Sequence, residues 1–180
     1  MQKKIVLIGG PGTGKSSVLK ELKNRGFCCM SEISRKVIKE AQKNGIDQLF
    51  LKDPILFSKL ILDGREKQYI NASDNSSNLV FFDRGFPDIH AYMDFTQKKY
   101  PNYFYEKSLK FKYDYVFLFK PWKEIFVSDN ERYESFNESI IINEYIVKTY
   151  KNLNYTVIEV PFNTIKKRVD FILNWLKLNE

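Results

Sequence analysis

The stretch that decides the fold is Gly9-Gly10-Pro11-Gly12-Thr13-Gly14-Lys15-Ser16-Ser17, which fits the spacing GxxxxGK(S/T). The apolar run at residues 5–8, Ile-Val-Leu-Ile, comes directly before it. After it, apolar residues recur at helical spacing, at Val18, Leu19 and Leu22. The sequence therefore predicts a buried strand, a glycine-rich turn and a helix in that order, which is the setting of a Walker A phosphate loop.

This spacing has a chemical purpose. Glycines let the backbone turn tightly, so that successive amides surround a phosphate group. Lys15 would reach the β- and γ-phosphates, and the Ser16 hydroxyl would ligate Mg²⁺. The predicted residues that bind ATP are Gly9, Gly10, Pro11, Gly12, Thr13, Gly14, Lys15, Ser16 and Ser17. The alternative is a glycine-rich turn that carries a lysine by chance, and the flanking strand and helix favour the phosphate loop over it.

Length and composition limit the class of protein. The 180 residues predict one domain over residues 1–180, and 43% apolar with 16% aromatic residues predict a folded chain with a large aromatic core. No apolar run approaches the about 20 residues of a membrane span, and no signal peptide precedes the first strand, so we expect a cytoplasmic protein. The net charge of +7 comes from lysines spread along the whole chain. This pattern favours a solvated surface and a nucleotide pocket over a nucleic-acid interface.

An acidic residue and an arginine follow the second predicted strand. Residues 27–30, Phe-Cys-Cys-Met, are typical of a short strand, and Glu32 and Arg35 lie in the first turn of the helix after it. In an open α/β sheet, ligands bind at this carboxyl edge. Glu32 is therefore a candidate catalytic residue, with a first-turn acid stabilised by the helix dipole as the alternative.

A second acid follows the third predicted strand. The apolar run at residues 79–82 ends in Asp83-Arg84-Gly85. An aspartate at the end of a central strand is where a Walker B residue holds the magnesium shell, so Ser16 and Asp83 are the predicted metal ligands. Arg84 is a planar cation suited to a phosphate or hydroxyl. A structural Asp-Arg pair that caps the next helix remains the alternative.

The rest of the chain continues to alternate strands and helices. Asp53-Pro54 predicts a helix that runs to about Asn71 and packs through Phe57, Leu60 and Ile61. Residues 115–119 and 156–160 predict two more strands, each followed by a helix. We therefore expect a three-layer α/β/α sandwich around a five-stranded parallel sheet.

A charged segment at residues 129–134 contains Arg132. In a phosphotransfer enzyme, an arginine here would close over the nucleotide and neutralise charge on the phosphoryl group. An ordinary charged surface segment is the alternative.

Together these residues resemble the small bacterial P-loop proteins labelled AAA-family ATPases or ATP-binding proteins, whose core is similar to the nucleotide and nucleoside kinases. The resemblance covers nearly the whole chain and rests on residues 9–16, Glu32 with Arg35, and residues 82–88, besides segments of the C-terminal half. It implies the strand order 2-3-1-4-5, ATP or a related triphosphate, and Mg²⁺. It also implies that Glu32 takes the proton of an acceptor hydroxyl and that Arg132 occupies a lid position, although the doubled arginine of such lids is absent.

The hypothesis from the sequence is thus a Mg²⁺-dependent phosphotransferase for a small metabolite, with Lys15, Asp83, Arg84, Glu32 and Arg132 as catalytic residues. Its expected partners are a nucleoside triphosphate, a small-molecule acceptor and, further, a second copy of the chain as a homodimer. One alternative is a nucleotide-dependent switch or ATPase module that binds a protein or lipid partner. Another is a remodelling ATPase, which the missing Asp-Glu of a hydrolytic Walker B and the missing helical domain disfavour.

Overall fold

A computed structural model describes residues 2–127 and 134–178. The strands are β1 (Lys3–Ile8), β2 (Cys28–Met30), β3 (Leu79–Asp83), β4 (Tyr115–Leu118) and β5 (Val157–Glu159). The helices are α1 (Lys15–Asn24), α2 (Ile33–Lys43), α3 (Leu49–Lys52), α4 (Pro54–Ser73), α5 (Phe86–Phe95), α6 (Tyr103–Lys110), α7 (Phe136–Asn152) and α8 (Ile165–Leu178). A 3₁₀ turn, Lys123–Ile125, follows β4.

The five strands form one parallel sheet in the order β2-β3-β1-β4-β5, which confirms the predicted topology. In the register of the sheet, Leu7 lies opposite Asp83 and Ile8 lies opposite Leu118. The strands β1, β3 and β4 therefore end together at one edge, and the loops that follow them meet there.

Strand β1 shows why the sheet has two covered faces. Its four apolar residues are completely buried. Val6 and Ile8 belong to a core with residues of α2, α4, α5 and α7, whereas Ile5 and Leu7 belong to a second core with residues of α1 and α8. Because side chains alternate along a strand, a continuous apolar run serves both cores at once.

The first core is rich in aromatic residues, as the composition predicts. Phe86 and Phe111 stack with ring centroids 4.9 Å apart. Tyr69 packs edge-on against Phe111 at 5.1 Å, and Tyr113 packs edge-on against Phe82 at 5.4 Å. This cluster packs against α5, the helix that follows Asp83, through Phe86.

Helix α4 begins where the sequence predicts, because Asp53 Oδ1 accepts the backbone amide of Leu56 at 2.9 Å and Pro54 occupies the first helical position. The prediction that Leu60 lies in the core is wrong, since its side chain is 40% exposed. The buried side of α4 instead contains two polar residues, Ser58 and Arg65, beside its apolar ones. A prediction that used only the apolar residues therefore misplaced the buried side of α4.

Within the described ranges, every helix is too short or too polar to cross a membrane.

Candidate active site

The loop between β1 and α1 lies at the carboxyl edge of the sheet. Asp83 ends the neighbouring strand β3, and Glu32 stands between β2 and α2. The fold thus brings the ends of three neighbouring strands to one place, together with Asp83 at the end of β3 and Glu32 just after β2.

Glycines allow the loop its shape and its close packing. Gly12 and Gly14 have φ of +74° and +83°, values that side chains rarely tolerate. A Cβ at Gly9 would collide with the carbonyl oxygen of Phe119, and one at Gly10 would lie 2.6 Å from Ser139 Oγ. The loop is therefore held tightly between the end of β4 and helix α7.

Lys15 lies inside this loop. Its Nζ donates to the carbonyl oxygens of Gly9 at 2.9 Å and Gly10 at 2.7 Å, and to Thr13 Oγ1 at 2.9 Å. Burial, followed by the charge of Arg84, lowers the pKa of Lys15. Phosphate oxygens placed at this ammonium group would favour its charged form, so the site is electrostatically suited to a polyphosphate.

Asp83 lies beside Ser16. The Ser16 hydroxyl donates to Asp83 Oδ2 at 3.1 Å, while Asp83 Oδ1 is buried and has no hydrogen-bond partner in residues 2–127 and 134–178. Burial, followed by the charge of Glu32, raises the pKa of Asp83. A nearby cation would reverse that rise.

These two side chains fit Mg²⁺, which in phosphate sites takes a carboxylate, a hydroxyl and substrate phosphate oxygens. A cluster of three or more His, Cys, Asp or Glu suited to a metal is absent from the part of the chain that the structure describes. The fit therefore rests on the orphaned oxygen of Asp83 and the hydroxyl of Ser16.

Glu32 occupies the N-cap position of α2 and accepts hydrogen bonds from three side chains of the described residues. Its Oε1 accepts from Arg84 Nε at 3.0 Å and from Ser34 Oγ at 2.7 Å, and its Oε2 accepts from Arg35 Nε at 3.3 Å. Burial acts to raise the pKa of Glu32, but the Arg84 charge and the Ser34 hydroxyl outweigh it and hold the pKa at about 2. Glu32 is thus ionised at neutral pH.

Arg84 connects the loop to α5. Its backbone adopts φ +68°, and its Nη1 donates to the Gly9 carbonyl at 3.0 Å and to Asp88 Oδ1 at 3.2 Å. Asp88 Oδ2 in turn accepts the Gly85 amide and the Tyr150 hydroxyl, each at 2.8 Å. Asp83 and Arg84 therefore have different partners, and Asp88 caps the helix.

A cavity of about 380 Å³ extends from the phosphate loop into the space between α2, α4 and α5. Glu32, Arg84 and Asp88 line its charged part, and Arg65 lines it from α4. Its apolar wall consists of Ile38, Phe50, Phe57, Ile61, Tyr92 and Met93. Such a size and lining suit a small molecule with an apolar ring and a few polar groups.

The structure brings Lys15, Ser16, Asp83, Glu32 and Arg84 together at one edge. Glu32 lines the cavity and Asp83 does not, so the two acids have different surroundings. The predicted lid residue Arg132 lies outside the described residues.

Sequence reasoning did not predict that Asp88 pairs with Arg84. It also missed three residues of this site: Arg65 in the cavity wall, and Ser139 and Arg168 against the loop. Ser139 and Arg168 bind loop carbonyls from 128 and 155 positions away in the chain. No local pattern signals contacts at such separations. Asp88 had a signal, because an acid three residues after Gly85 suits the first turn of a helix.

Comparisons with known proteins identify the family and the fold. The model of the family described as AAA domain matches residues 4–168. No curated protein matches the chain. Among solved structures, a deoxyadenosine kinase from M. mycoides with dCMP and dCDP is 18% identical, with a TM-score of 0.69 over 97% of this chain and 98% of that one. A thymidylate kinase from Candida albicans is 13% identical, with a TM-score of 0.68 over 99% and 92%.

A NadR protein in complex with NR is 15% identical, with a TM-score of 0.75 over 97% of this chain. The chain spans about half the length of that protein, 51%. At these identities the likenesses establish the P-loop kinase fold.

Proposed function

The chain belongs to the AAA domain family, and we propose that it is a Mg²⁺-dependent phosphotransferase that moves the terminal phosphoryl group of ATP to a hydroxyl of a small metabolite. The observation that carries this proposal is the place of Glu32. An ionised carboxylate lines the same cavity as the phosphate loop and Lys15. The loop supports the donor, and the carboxylate supports an acceptor that must lose a proton.

A hydroxyl acceptor suits this site better than a phosphate acceptor. A phosphate oxygen is already deprotonated at neutral pH and needs unpaired cations, whereas a hydroxyl needs a base. Two of the cations beside Glu32 already have carboxylate partners, because Arg35 pairs with Glu32 and Arg84 pairs with Glu32 and Asp88. The negative charge of Glu32 would also repel a phosphate.

The reaction follows from these positions. The acceptor oxygen bonds to the γ-phosphorus, the bond from that phosphorus to the β,γ-bridging oxygen breaks, ADP leaves, and the hydroxyl proton passes to Glu32. The transition state of such transfers is loose, so the proton leaves late and a weakly basic carboxylate is sufficient. Loop amides and Lys15 hold the phosphates, and Arg84 orients Glu32 through the 3.0 Å hydrogen bond.

Ser16 and Asp83 would hold Mg²⁺, which when bound neutralises charge on the β- and γ-phosphates. Arg132 is proposed to add positive charge over the nucleotide. The aromatic cavity wall supports an acceptor with a planar ring. The likeness to a deoxyadenosine kinase and a thymidylate kinase supports a nucleoside-like ring.

The test uses γ-³²P-ATP with Mg²⁺ and a panel of purine and pyrimidine nucleosides, their monophosphates and other hydroxyl metabolites, with products separated by chromatography. We expect a labelled monophosphate of one hydroxyl acceptor. Replacing Glu32 by Gln should slow the transfer by about 10² to 10⁴, the contribution of a general base. If the label appeared only in nucleoside diphosphates, the acceptor would be a phosphate group, which would contradict the proposed hydroxyl acceptor. If the protein bound ATP but labelled no acceptor, the result would favour the nucleotide-dependent switch over the phosphotransferase.

The control variant is Ser108→Ala. Ser108 is fully buried and pairs with His90 rather than with the site. The Ser108→Ala variant should transfer the label at the wild-type rate. A slow rate in Glu32→Gln alone would then reflect the loss of the base and not a general weakening of the fold.

A further inference from the structure

Two side chains from the C-terminal half of the chain donate hydrogen bonds to carbonyl oxygens of the phosphate loop. Ser139 Oγ, on α7, donates to the carbonyl oxygen of Pro11 at 2.7 Å. Arg168 Nη2, on α8, donates to the carbonyl oxygen of Thr13 at 2.9 Å. Both side chains are almost completely buried, and neither lines the cavity.

The geometry of the peptide group gives these contacts a consequence. No peptide bond of the described chain is cis, so each carbonyl and the amide of the next residue point in opposite directions. The Pro11 carbonyl shares its peptide unit with the Gly12 amide, and the Thr13 carbonyl shares its unit with the Gly14 amide. Drawing the Pro11 carbonyl towards α7 therefore directs the Gly12 amide away from α7. Drawing the Thr13 carbonyl towards α8 likewise directs the Gly14 amide away from α8. Gly12 and Gly14 both line the cavity.

The loop has glycines at the positions where Ser139 and Arg168 approach it. A Cβ at Gly10 would lie 2.6 Å from Ser139 Oγ, and a Cβ at Gly14 would lie 2.7 Å from Arg168 Nη1. The glycines thus provide room for Ser139 and Arg168 as well as for the turn itself. A side chain at either position would displace the residue that holds the neighbouring carbonyl.

Arg168 is an unusual residue to bury for stability alone. Its guanidinium lies over the Phe119 ring at 4.6 Å, and its Nε has no hydrogen-bond partner in the described residues. Within residues 2–127 and 134–178 no carboxylate forms an ion pair with Arg168, and burial lowers its pKa to about 10. A buried cation without a carboxylate partner is costly. A cation at this position would, however, favour a polyanion in the adjacent loop.

We propose that Ser139 and Arg168 are positioning residues for the triphosphate: by holding the Pro11 and Thr13 carbonyls they keep the Gly12 and Gly14 amides directed at its phosphate groups. This inference rests on the proposed nucleotide binding by the loop. The residues act through the backbone and do not touch the nucleotide.

The test compares Ser139→Ala and Arg168→Met with wild type. Calorimetry measures the Kd for MgATP and for inorganic pyrophosphate, and NMR follows the Gly12 and Gly14 amide protons during the pyrophosphate titration. Each variant should bind both ligands about tenfold more weakly, the effect of one lost hydrogen bond. The downfield shift of the Gly12 amide should shrink in Ser139→Ala, and that of the Gly14 amide in Arg168→Met.

Two further variants separate positioning from stability. Ser108→Ala removes an equally buried hydroxyl away from the loop and should keep the wild-type Kd even where its Tm falls as far as that of Ser139→Ala. Arg168→Lys can still donate to the Thr13 carbonyl and should regain most of the affinity lost in Arg168→Met.

Unchanged affinity and amide shifts in Ser139→Ala and Arg168→Met would overturn the inference while leaving the proposed function intact. An equal loss of affinity in Ser108→Ala would also overturn it, because the effect would then be one of stability. A wild-type protein that binds neither pyrophosphate nor ATP would overturn the proposed function and this inference with it.

Discussion

Two acids at one edge of the sheet, Glu32 and Asp83, have opposite electrostatic environments. Arg84 and Ser34 outweigh burial at Glu32 and lower its pKa, whereas burial and the charge of Glu32 raise the pKa of Asp83. Asp83 faces the Ser16 hydroxyl and Glu32 faces the cavity. This difference supports separate roles, with Asp83 towards a cation and Glu32 towards an acceptor.

The low pKa of Glu32 predicts how stability depends on pH. A carboxyl group whose pKa falls from 4.5 to about 2 on folding stabilises the fold above pH 4.5, and that stabilisation is lost as the pH falls towards 2. Glu32→Gln should therefore be less stable than wild type by about 1–3 kcal/mol at pH 7, since Arg84 loses a charged partner. The difference should narrow between pH 4.5 and pH 2.5. Urea unfolding at several pH values measures the difference in unfolding free energy between the two proteins. A difference that stays constant with pH would contradict a stabilising ion pair between Glu32 and Arg84.

Asp83→Asn tests the proposed metal ligand. The variant should bind ATP without Mg²⁺ about as well as wild type, because the loop amides and Lys15 are unchanged. The gain in affinity that Mg²⁺ gives the wild type should fall at least about tenfold, as expected when a group that supports a metal is altered. Calorimetric titrations with and without Mg²⁺ measure this gain. Equal gains in both proteins would place the metal elsewhere.

At the residue scale, local patterns were enough to place Lys15, Ser16, Glu32 and Asp83 at the carboxyl edge of the sheet. Each lies at the end of a strand, or in the loop or helix start that comes next. Local patterns were not enough for the partners of Arg84. Its left-handed backbone turns the side chain back towards Glu32 and Asp88, and nothing in the sequence Asp83-Arg84-Gly85 signals that turn.

At the scale of elements, helix α7 depends on its N-terminal cap. The Ser135 amide donates to Glu138 Oε2 at 2.7 Å, and the Glu138 amide donates to Ser135 Oγ at 3.2 Å, which is a complete capping box. The cap begins the helix one turn before Ser139, the residue that holds the phosphate loop. The start of α7 therefore supports both the fold and the loop.

Ser135→Ala should lower the free energy of unfolding by about 1 kcal/mol, the usual cost of a lost N-cap. Urea denaturation measures the loss. Ser73→Ala is the matched control, because Ser73 lies at the last position of α4 with an exposed hydroxyl, and it should change stability by less than about 0.5 kcal/mol. Equal effects of the two substitutions would show that the capping box does not stabilise α7.

Elements with clear end signals were predictable, as the start of α4 at Asp53-Pro54 shows. The exposed Leu60 was not, because α4 places Ser58 and Arg65 on its buried side, where they line the cavity. A functional cavity needs polar residues on a face that would otherwise be apolar. The apolar pattern is therefore least informative where the helix forms the site.

At the scale of the whole molecule, the sheet separates two cores that share its strands. Ile146 on α7 and Ile172 on α8 are completely buried in different cores. Each substitution to Ala should cost about 2–5 kcal/mol, and the double variant should lose the sum within about 0.5 kcal/mol. Circular dichroism and tryptophan fluorescence should follow one common transition. Separate transitions would show that the two faces unfold independently.

The alternation of strands and helices was enough to predict a parallel sheet covered on both sides. The strand order came from the resemblance, because alternation alone fits several orders. Ser139 and Arg168 could not be predicted, since their contacts with the loop depend on how α7 and α8 pack against the finished sheet.

The central claim is that the loop between β1 and α1 captures a triphosphate through its amides and Lys15. The most direct test is calorimetric titration of MgATP into wild type, Lys15→Ala and Lys20→Ala, the last removing an exposed lysine from the same helix. We predict binding about 100-fold weaker in Lys15→Ala, the effect of a lost charged hydrogen bond, and wild-type binding in Lys20→Ala. Equal affinity of wild type and Lys15→Ala for MgATP would contradict the claim.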